Sequence, residues 1–417
     1  MRKSHLRSLR RTLAMNKHPI RNARQRGQHE GNHKGYAEGY IRGRSQFIMH
    51  TVHANPDMRQ IHVMYVSSGK GFPYSPLDEA IVTTLQSTVA HLSIAGPRDP
   101  VAQTAAQIRP DLVLVLDGME FPVEQLNELR QSGIRTAVWI TDDPYYTDIM
   151  TLVVPHYDYV FTLELNCVEY YRLLGCKHVH YLPFGVFPLH FRPRHTISPV
   201  RRDVSFIGSG YWNRIRSFNP IISRLATHNI VISGLWWDRL THFSRYKKRI
   251  ELNKWMGPHE TATLYNGSKI VINMHRSVED ETVNNNKARI PAVSPNPRTF
   301  EISGCGTLQL TDVRADLPRF YTPGVEIETY RSSEELVSKV EYYLHNEEAR
   351  REIALRSLER TMREHTYMNR INELLRVVFD PPSDQQQHLN QLNSIDQSNP
   401  FGQPNPHYQS NSIGQSN

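Results

Sequence analysis

Arg298 and Glu301 stand three positions apart in "NPRTFEISGCGTLQLTD", residues 296–312, just before an apolar run. A guanidinium can pair with phosphate oxygens through two parallel hydrogen bonds. A carboxylate can accept both hydroxyl protons of a vicinal diol such as ribose. Pro297 and Thr299 suit the start of a helix, which would place Glu301 in the first turn. The segment predicts a nucleotide diphosphate site; the alternative is an acid that stabilises the helix dipole beside a surface ion pair.

A second polar segment, "FIGSGYWNRIR", places Gly208 and Gly210 at the end of a strand-like run, with Arg214 soon after. Glycines at a strand end allow the backbone to approach a phosphate closely, and Arg214 could reach a diphosphate. The alternative is a tight turn followed by solvated arginines. Because this loop and residues 296–312 belong to the same predicted domain, together they favour the nucleotide diphosphate site.

Two series of alternating strands and helices must position these residues. Near-continuous apolar strands between amphipathic helices predict parallel sheets covered on both faces. The first series, residues 60–190, includes a helix predicted for residues 77–94. The second, residues 203–379, ends in helices predicted from residue 333 onward. The sequence therefore predicts an α/β fold of two Rossmann-like domains that face each other across a cleft, with ligands beyond the carboxyl ends of the strands.

The two ends of the chain differ from this body. The net charge is +8, but residues 1–46 hold 12 Lys or Arg against 2 acids, which leaves 37 against 39 elsewhere. This basic arm is predicted to be flexible or partly helical, with glycine at every fourth position from Gly31 to Gly43. Residues 381–417 contain 14 Gln or Asn and no Lys or Arg, which predicts a disordered tail. A body without a basic stripe argues against nucleic-acid binding.

No apolar run approaches the ~18 residues that a transmembrane helix needs, and the basic N-terminal region has no apolar signal segment. The three cysteines, Cys167, Cys176 and Cys305, fit neither a disulfide framework nor a zinc pattern. These observations predict a cytoplasmic protein.

Several segments resemble the CgeB-type spore maturation proteins. The C-terminal half is similar in "GPHETATLYNGSKIVINMHR", in "NPRTFEISGCGTLQLTD" and in the helical stretch that begins "YRSSEELVSKV". The N-terminal half is similar in "PDLVLVLDGMEFP", "GIRTAVWITDDPYY", "YDYVFTLELNCVEYYRLLG" and "HYLPFGVFPLHFRP". The resemblance covers about residues 60–378 and neither tail. That family consists of GT-B fold glycosyltransferases related to glycosyltransferase family 4.

The resemblance implies transfer of a sugar from a nucleotide diphosphate sugar, bound by the C-terminal domain, to a carbohydrate, glycan or protein acceptor held by the N-terminal domain. Glu301 matches the second glutamate of the family 4 pair, which binds the donor ribose. The first glutamate would lie eight positions earlier, where this chain has Val293.

The resemblance also suggests roles for other polar residues at strand ends. Arg214 and Arg298 are the expected diphosphate ligands. Asn273 and His275 are expected to contact sugar or phosphate, and His275 is a catalytic candidate whose alternative is a core histidine. No permanent cofactor and no metal are expected, because arginines and helix ends can neutralise the departing diphosphate.

Asp142 and Asp143 follow a buried strand in "TDDPYY". Either carboxylate is predicted to contact the acceptor hydroxyl or to act as a base. The alternative is a satisfied turn acid before Pro144, and a metal site is least favoured. Residues 278–296 are too polar for a core and are predicted to form a loop bordering the donor site.

Two other functions are also compatible with the sequence. A nucleotide-sugar epimerase or hydrolase could use the same fold and would consume donor without an acceptor. A non-catalytic coat protein could keep the fold and use the basic arm for surface or coat assembly; it would bind no nucleotide sugar.

Overall fold

The computed structural model describes residues 17–280 and 283–380. The first part of the predicted arm and all of the predicted tail lie outside the described residues. The chain divides into a compact unit that ends at Asn372 and a second unit that begins at Glu373. The first unit contains both sheets. In the second unit, Arg376 forms an ion pair with Glu373 at 2.7 Å.

The described residues form a first sheet of six parallel strands. Its strands are β1 (Arg59–Val66), β2 (Val89–Ala95), β3 (Leu112–Leu116), β4 (Thr136–Trp139), β5 (Tyr159–Thr162) and β6 (His178–Tyr181). The spatial order is β2-β1-β3-β4-β5-β6. Both β3 and β4 are buried along their whole length because helices cover both faces. The helices of this part are α1 (Lys17–Thr51), α2 (Ser75–Leu85), α3 (Val101–Ile108), α4 (Val123–Gln131), α5 (Thr147–Val153) and α6 (Leu165–Leu173).

The helix predicted for residues 77–94 is wrong in its second half. Helix α2 ends at Leu85, and the chain then forms β2. The hydroxyl of Thr88 lies 3.2 Å from the carbonyl oxygen of Thr84, one of the last carbonyls of the helix. The following residues pair in parallel with β1, where Leu92 lies opposite Val63. Pairing with a neighbouring strand, which local sequence does not encode, decides the structure here.

A second sheet of six parallel strands follows in the described chain. Its strands are β7 (Arg202–Ile207), β8 (Ile230–Gly234), β9 (Ile250–Leu252), β10 (Ser268–Asn273), β11 (Leu308–Asp312) and β12 (Glu328–Tyr330). The spatial order is β12-β11-β10-β7-β8-β9. The helices are α7 (Trp212–Phe218), α8 (Ile222–Leu225), α9 (Phe243–Tyr246), α10 (Pro258–Gly267), α11 (Pro297–Gly304), α12 (Ser333–His345), α13 (Glu347–Glu364) and α14 (Tyr367–Phe379).

Strands β7 and β10 are neighbours, although the chain forms two strands between them. The strand order therefore reverses at this pair, which is where open parallel sheets leave a crevice for ligands at the carboxyl ends. The loop with Gly208 and Gly210 leaves β7 and leads to α7, which carries Arg214, and the connection to α11 leaves β10. The predicted donor residues thus come from the two connections that border the crevice.

Helix α1 contains most of the predicted arm, and its last turns pack against the body. Ile48 is buried in the same apolar cluster as Leu358 of α13, and Glu38 forms an ion pair with Arg351. No helix within the described residues is long and apolar enough to span a membrane.

Candidate functional site

Helix α11 begins at a network of buried amides. Asn296 is its N-cap, and the side-chain oxygen accepts the N–H of Thr299 at 3.1 Å. The side-chain nitrogen of Asn273, at the end of β10, lies 3.1–3.2 Å from oxygens of Asn296, Thr299 and Gln309. Asn273 is buried. Its amide therefore fixes the start of α11, and the predicted contact with sugar or phosphate would require one of these bonds to break.

His275 also supports this helix start. Its Nδ1 lies 2.6 Å from Oδ1 of Asp312, and its Nε2 accepts the main-chain N–H of Asn296 at 2.9 Å. Burial lowers the pKa of His275, which agrees with a neutral ring whose proton is on Nδ1. Because both ring nitrogens are engaged, the geometry is that of the core histidine. The predicted catalytic contact would require one of these bonds to break.

Arg214 is buried instead of reaching into the crevice. Its Nε and Nη2 donate to the carbonyl of Met274 at 3.0 and 2.6 Å, and its Nη1 donates to the carbonyl of Ser209 at 2.9 Å. Burial, together with the charge of Arg298, lowers the pKa of Arg214 to about 10. Arg214, which was predicted to bind the diphosphate, thus braces the loop before α7. Its charge also acts on Arg298.

Gly208 and Gly210 are required by packing inside the protein. A Cβ atom on Gly208 would lie 2.8 Å from Nη1 of Arg214, and one on Gly210 would lie 2.8 Å from the carbonyl oxygen of Trp236. The main-chain N–H groups of both glycines donate to carbonyls of β8 and the residues that follow it. The sequence predicted that a phosphate approaches these glycines closely. In the structure, β8 and the residues that follow it make this close approach.

Gly210→Ala is expected to destabilise the fold, because its methyl group meets a main-chain oxygen that cannot move alone. We expect a loss of about 1–3 kcal/mol in the free energy of unfolding. Urea denaturation followed by circular dichroism measures it. Gly257→Ala is the matched control, since a Cβ there meets nothing within 4 Å. Equal unfolding free energies for the two variants would contradict the packing argument.

Arg298 and Glu301 differ from these buried braces. Both lie on α11 and are half-buried, and neither side chain makes a hydrogen bond or ion pair with any residue that the structure describes. Burial raises the pKa of Glu301 to about 7, although the charge of Arg298 opposes the shift. The phenol of Tyr265 is buried without a hydrogen-bond partner, and the charge of Glu301 adds to burial in raising the pKa of Tyr265. Helix α11 thus presents two charged side chains that form no hydrogen bond or ion pair with the described protein.

The two predicted acids of the first sheet have different environments. Asp143 is buried and accepts hydrogen bonds from Thr162 at 2.5 Å and Tyr171 at 2.6 Å. Burial raises the pKa of Asp143 to about 7. Asp142 is half-buried and accepts from the hydroxyl of Tyr74 at 2.8 Å. Asp143 is therefore the satisfied turn acid, and Asp142 is the member of the pair that a substrate could reach.

Sequence reasoning missed Lys70, in the connection that leaves β1. Its Nζ lies 2.6 Å from the buried carboxylate of Asp117, at the end of β3. Asp117 also accepts from Thr141, the neighbour of Asp142, at 2.5 Å. The signal was present in "SSGKGFP", where glycines flank a lysine after a buried strand.

Arg276, which follows His275, was also missed. Its guanidinium lies 4.5 Å from the ring centroid of Tyr145, in the connection after β4, and 4.8 Å from that of Tyr211, after β7. The hydroxyl of Tyr145 donates to the carbonyl of Arg276 at 2.9 Å. Arg276 adds positive charge where the connections of the two sheets meet.

Known proteins share this arrangement of sheets. A family model described as "Glycosyl transferase-like" matches residues 214–376. Sucrose-phosphate synthase from Thermosynechococcus elongatus superposes with a TM-score of 0.54 at 11% identity, over 78% of this chain and 100% of that one. HepE from Anabaena, crystallised with UDP-glucose, gives 0.52 at 11% identity, over 76% and 99%. The two parallel sheets and their crevice define a glycosyltransferase-like protein of the GT-B fold.

Spore protein CgeB from Bacillus subtilis (strain 168) is 31% identical over 309 residues, which cover 73% of this chain and 95% of that protein. The chain therefore belongs to the CgeB family.

Proposed function

We propose that this protein transfers a sugar from a nucleotide diphosphate sugar to an acceptor hydroxyl. The observation that carries the proposal is the pair on α11. Arg298 and Glu301 are half-buried and oppositely charged, and neither side chain forms a hydrogen bond or an ion pair with the described protein. An unpaired, partly buried charge is costly unless a ligand satisfies it. HepE, which shares the fold, was crystallised with UDP-glucose, which supports a nucleotide sugar as the ligand.

In this proposal Glu301 accepts hydrogen bonds from the hydroxyls of the donor ribose, and Arg298 pairs with the diphosphate. Arg214 and Arg276 add fixed positive charge nearby, so that the growing negative charge on the leaving diphosphate is stabilised. We propose that this charge replaces a metal ion. Asn273, His275 and the two glycines hold the helix start and the loop in place without touching the donor.

Asp142 is our candidate for the acceptor contact. During transfer the acceptor oxygen bonds to the anomeric carbon, the bond from that carbon to the diphosphate breaks, and the acceptor proton passes to a base. Asp142 is half-buried and positioned by Tyr74 and Thr141, which suits a base more than the fully engaged Asp143. We propose a hexosyl group as the transferred sugar and a carbohydrate, glycan or protein as acceptor.

We propose that the protein acts in the cytoplasm or at the spore surface, where α1 would serve assembly. The family relative is a spore protein, which supports the second location.

A panel of nucleotides tests the proposal. Thermal unfolding is recorded with UDP, GDP, ADP, CDP, dTDP and their sugar derivatives. At 100 times the dissociation constant, a ligand stabilises the fold by about 2.7 kcal/mol, which is a clear shift in midpoint. We expect one base to give this shift and the double variant Arg298→Ala/Glu301→Ala to lose it. No shift with any nucleotide would refute the donor site. Incubating the selected donor without acceptor then separates transfer from epimerisation or hydrolysis.

A further inference from the structure

A segment between two strands of the second sheet packs into the core of the first sheet. Residues 285–295, which we call the bridge segment, lie between β10 and α11. Ile290 is only 7% exposed, and it belongs to the hydrophobic core formed by residues such as Val115 and Val138 of the first sheet. The polar loop predicted for this region therefore contains one core residue, and that residue serves the opposite sheet.

Polar contacts fix both ends of the bridge segment to the first half of the chain. At its beginning, the side-chain oxygen of Asn286 accepts from the hydroxyl of Thr147 at 3.1 Å. At its end, Ser294 Oγ accepts the main-chain N–H of Leu165 at 3.0 Å. The segment is thus held at both ends and anchored between them by Ile290.

Glu164 is the centre of the contacts at the far end. It follows β5 and is 2% exposed. Its Oε2 accepts the main-chain N–H groups of Val293 and Ser294, each at 3.1 Å, and its Oε1 accepts that of Asn166 at 3.2 Å. Burial raises the pKa of Glu164, and these N–H donors oppose the shift. A buried carboxylate that accepts several N–H groups is strongly directional.

The position of this carboxylate matters for the donor site. Ser294 lies two residues before Asn296, the N-cap of α11, and α11 carries Arg298 and Glu301. Position 293 is a valine in this chain. The carboxylate of Glu164, from the first half of the chain, accepts the main-chain N–H of Val293.

We propose that Glu164 is a positioning residue for the donor site. By binding the N–H groups of Val293 and Ser294, it fixes the approach to α11 relative to the sheet that carries Asp142. The orientation of Arg298 and Glu301 then depends on a residue of the acceptor half. The link to donor binding rests on the proposed function, whereas the link to the order of α11 does not.

Glu164→Ala tests both links, with Glu164→Gln as a second variant that keeps one acceptor oxygen. Glu169→Ala is the matched control, because Glu169 lies on α6, the helix that begins just after Glu164, and is exposed. Amide hydrogen exchange over residues 293–301 reports the order of the helix start. Titration with the nucleoside diphosphates UDP, GDP, ADP, CDP and dTDP reports affinity well below the unfolding midpoint.

We expect faster exchange over residues 293–301 in Glu164→Ala and a smaller change in Glu164→Gln. We expect the dissociation constant for the preferred diphosphate to rise about tenfold in the alanine variant, since small misplacements of binding groups are costly. Exchange unchanged from the control would overturn the positioning role. Faster exchange with unchanged affinity would overturn its link to the donor. If the wild type bound no diphosphate while exchange still rose, the proposed function would fail and the effect on α11 would stand.

Discussion

Glu301→Gln is expected to weaken nucleotide-sugar binding about 10- to 100-fold, because hydrogen bonds to a charged group contribute about 1.5–3 kcal/mol. The carboxylate can accept two ribose hydroxyls at once, whereas the glutamine amide offers one oxygen and two competing donors. Calorimetric titration with the donor selected from the nucleotide panel measures this loss. Glu348→Gln is the control, because Glu348 is exposed at the start of α13; it should bind donor as the wild type does.

The pH dependence of this binding has a definite sign. Burial raises the pKa of Glu301 to about 7, so the carboxyl is mostly protonated at pH 6 and mostly ionised at pH 8. Ribose hydroxyls bind best to the ionised form. We expect wild-type affinity for a nucleotide sugar to fall as pH is lowered through 7, by at most about tenfold for each pH unit. The difference between wild type and Glu301→Gln isolates this contribution. The same pH dependence of affinity in both proteins would show that Glu301 does not contact the donor.

The same carboxyl affects stability in the opposite direction. The pKa of Glu301 is raised in the folded protein but lies near 4.3, about the ordinary value, when the chain is unfolded. Between these values the folded state binds more protons, so its stability falls as pH rises from about 4.3 through 7. Glu301→Gln removes this cost, and at pH 8 the variant should unfold no earlier than the wild type. Lost binding with retained stability is the signature of a ligand-binding acid.

The sequence was sufficient for the fold and for the segment that carries the candidate donor site. Continuous apolar strands such as Leu112–Leu116 fit only a sheet covered on both faces. The helix start was visible from local signals, because Pro297 and Thr299 suit the first turn, whereas the N-cap Asn296 was not recognised. Local signals did not reveal the edge strand β2, which exists through its pairing with β1.

The roles of single polar residues could not be predicted from the sequence, because burial decides them. Arg214 and Arg298 look alike in the chain, yet Arg214 donates to main-chain carbonyls and Arg298 forms no hydrogen bond or ion pair in the described structure. Asp142 and Asp143 are neighbours, yet Asp143 is buried with both oxygens bound by the hydroxyls of Thr162 and Tyr171, whereas Asp142 is half-buried. These partners come from distant segments that only the folded chain brings together.

Arg298→Ala should lower kcat/KM about 10²- to 10³-fold, the usual cost of losing one preorganised group that stabilises developing charge. The loss should appear mainly in kcat, since the leaving diphosphate gains negative charge in the transition state and needs the guanidinium most there. Arg298→Lys keeps the charge and loses the paired hydrogen bonds, so it should fall between alanine and wild type.

The rate of nucleoside diphosphate release from the selected donor, measured with an acceptor that supports transfer, reports this effect because each transfer releases one diphosphate. Arg356→Ala is the control, because Arg356 forms only a half-exposed ion pair with Glu352 on α13. The Arg298 side chain makes no hydrogen bond or ion pair in the described protein, so its removal should leave the unfolding midpoint near that of the control. A variant that unfolds early would show that Arg298 has a structural role. A stable variant with wild-type kcat would show that Arg298 does not stabilise the leaving diphosphate.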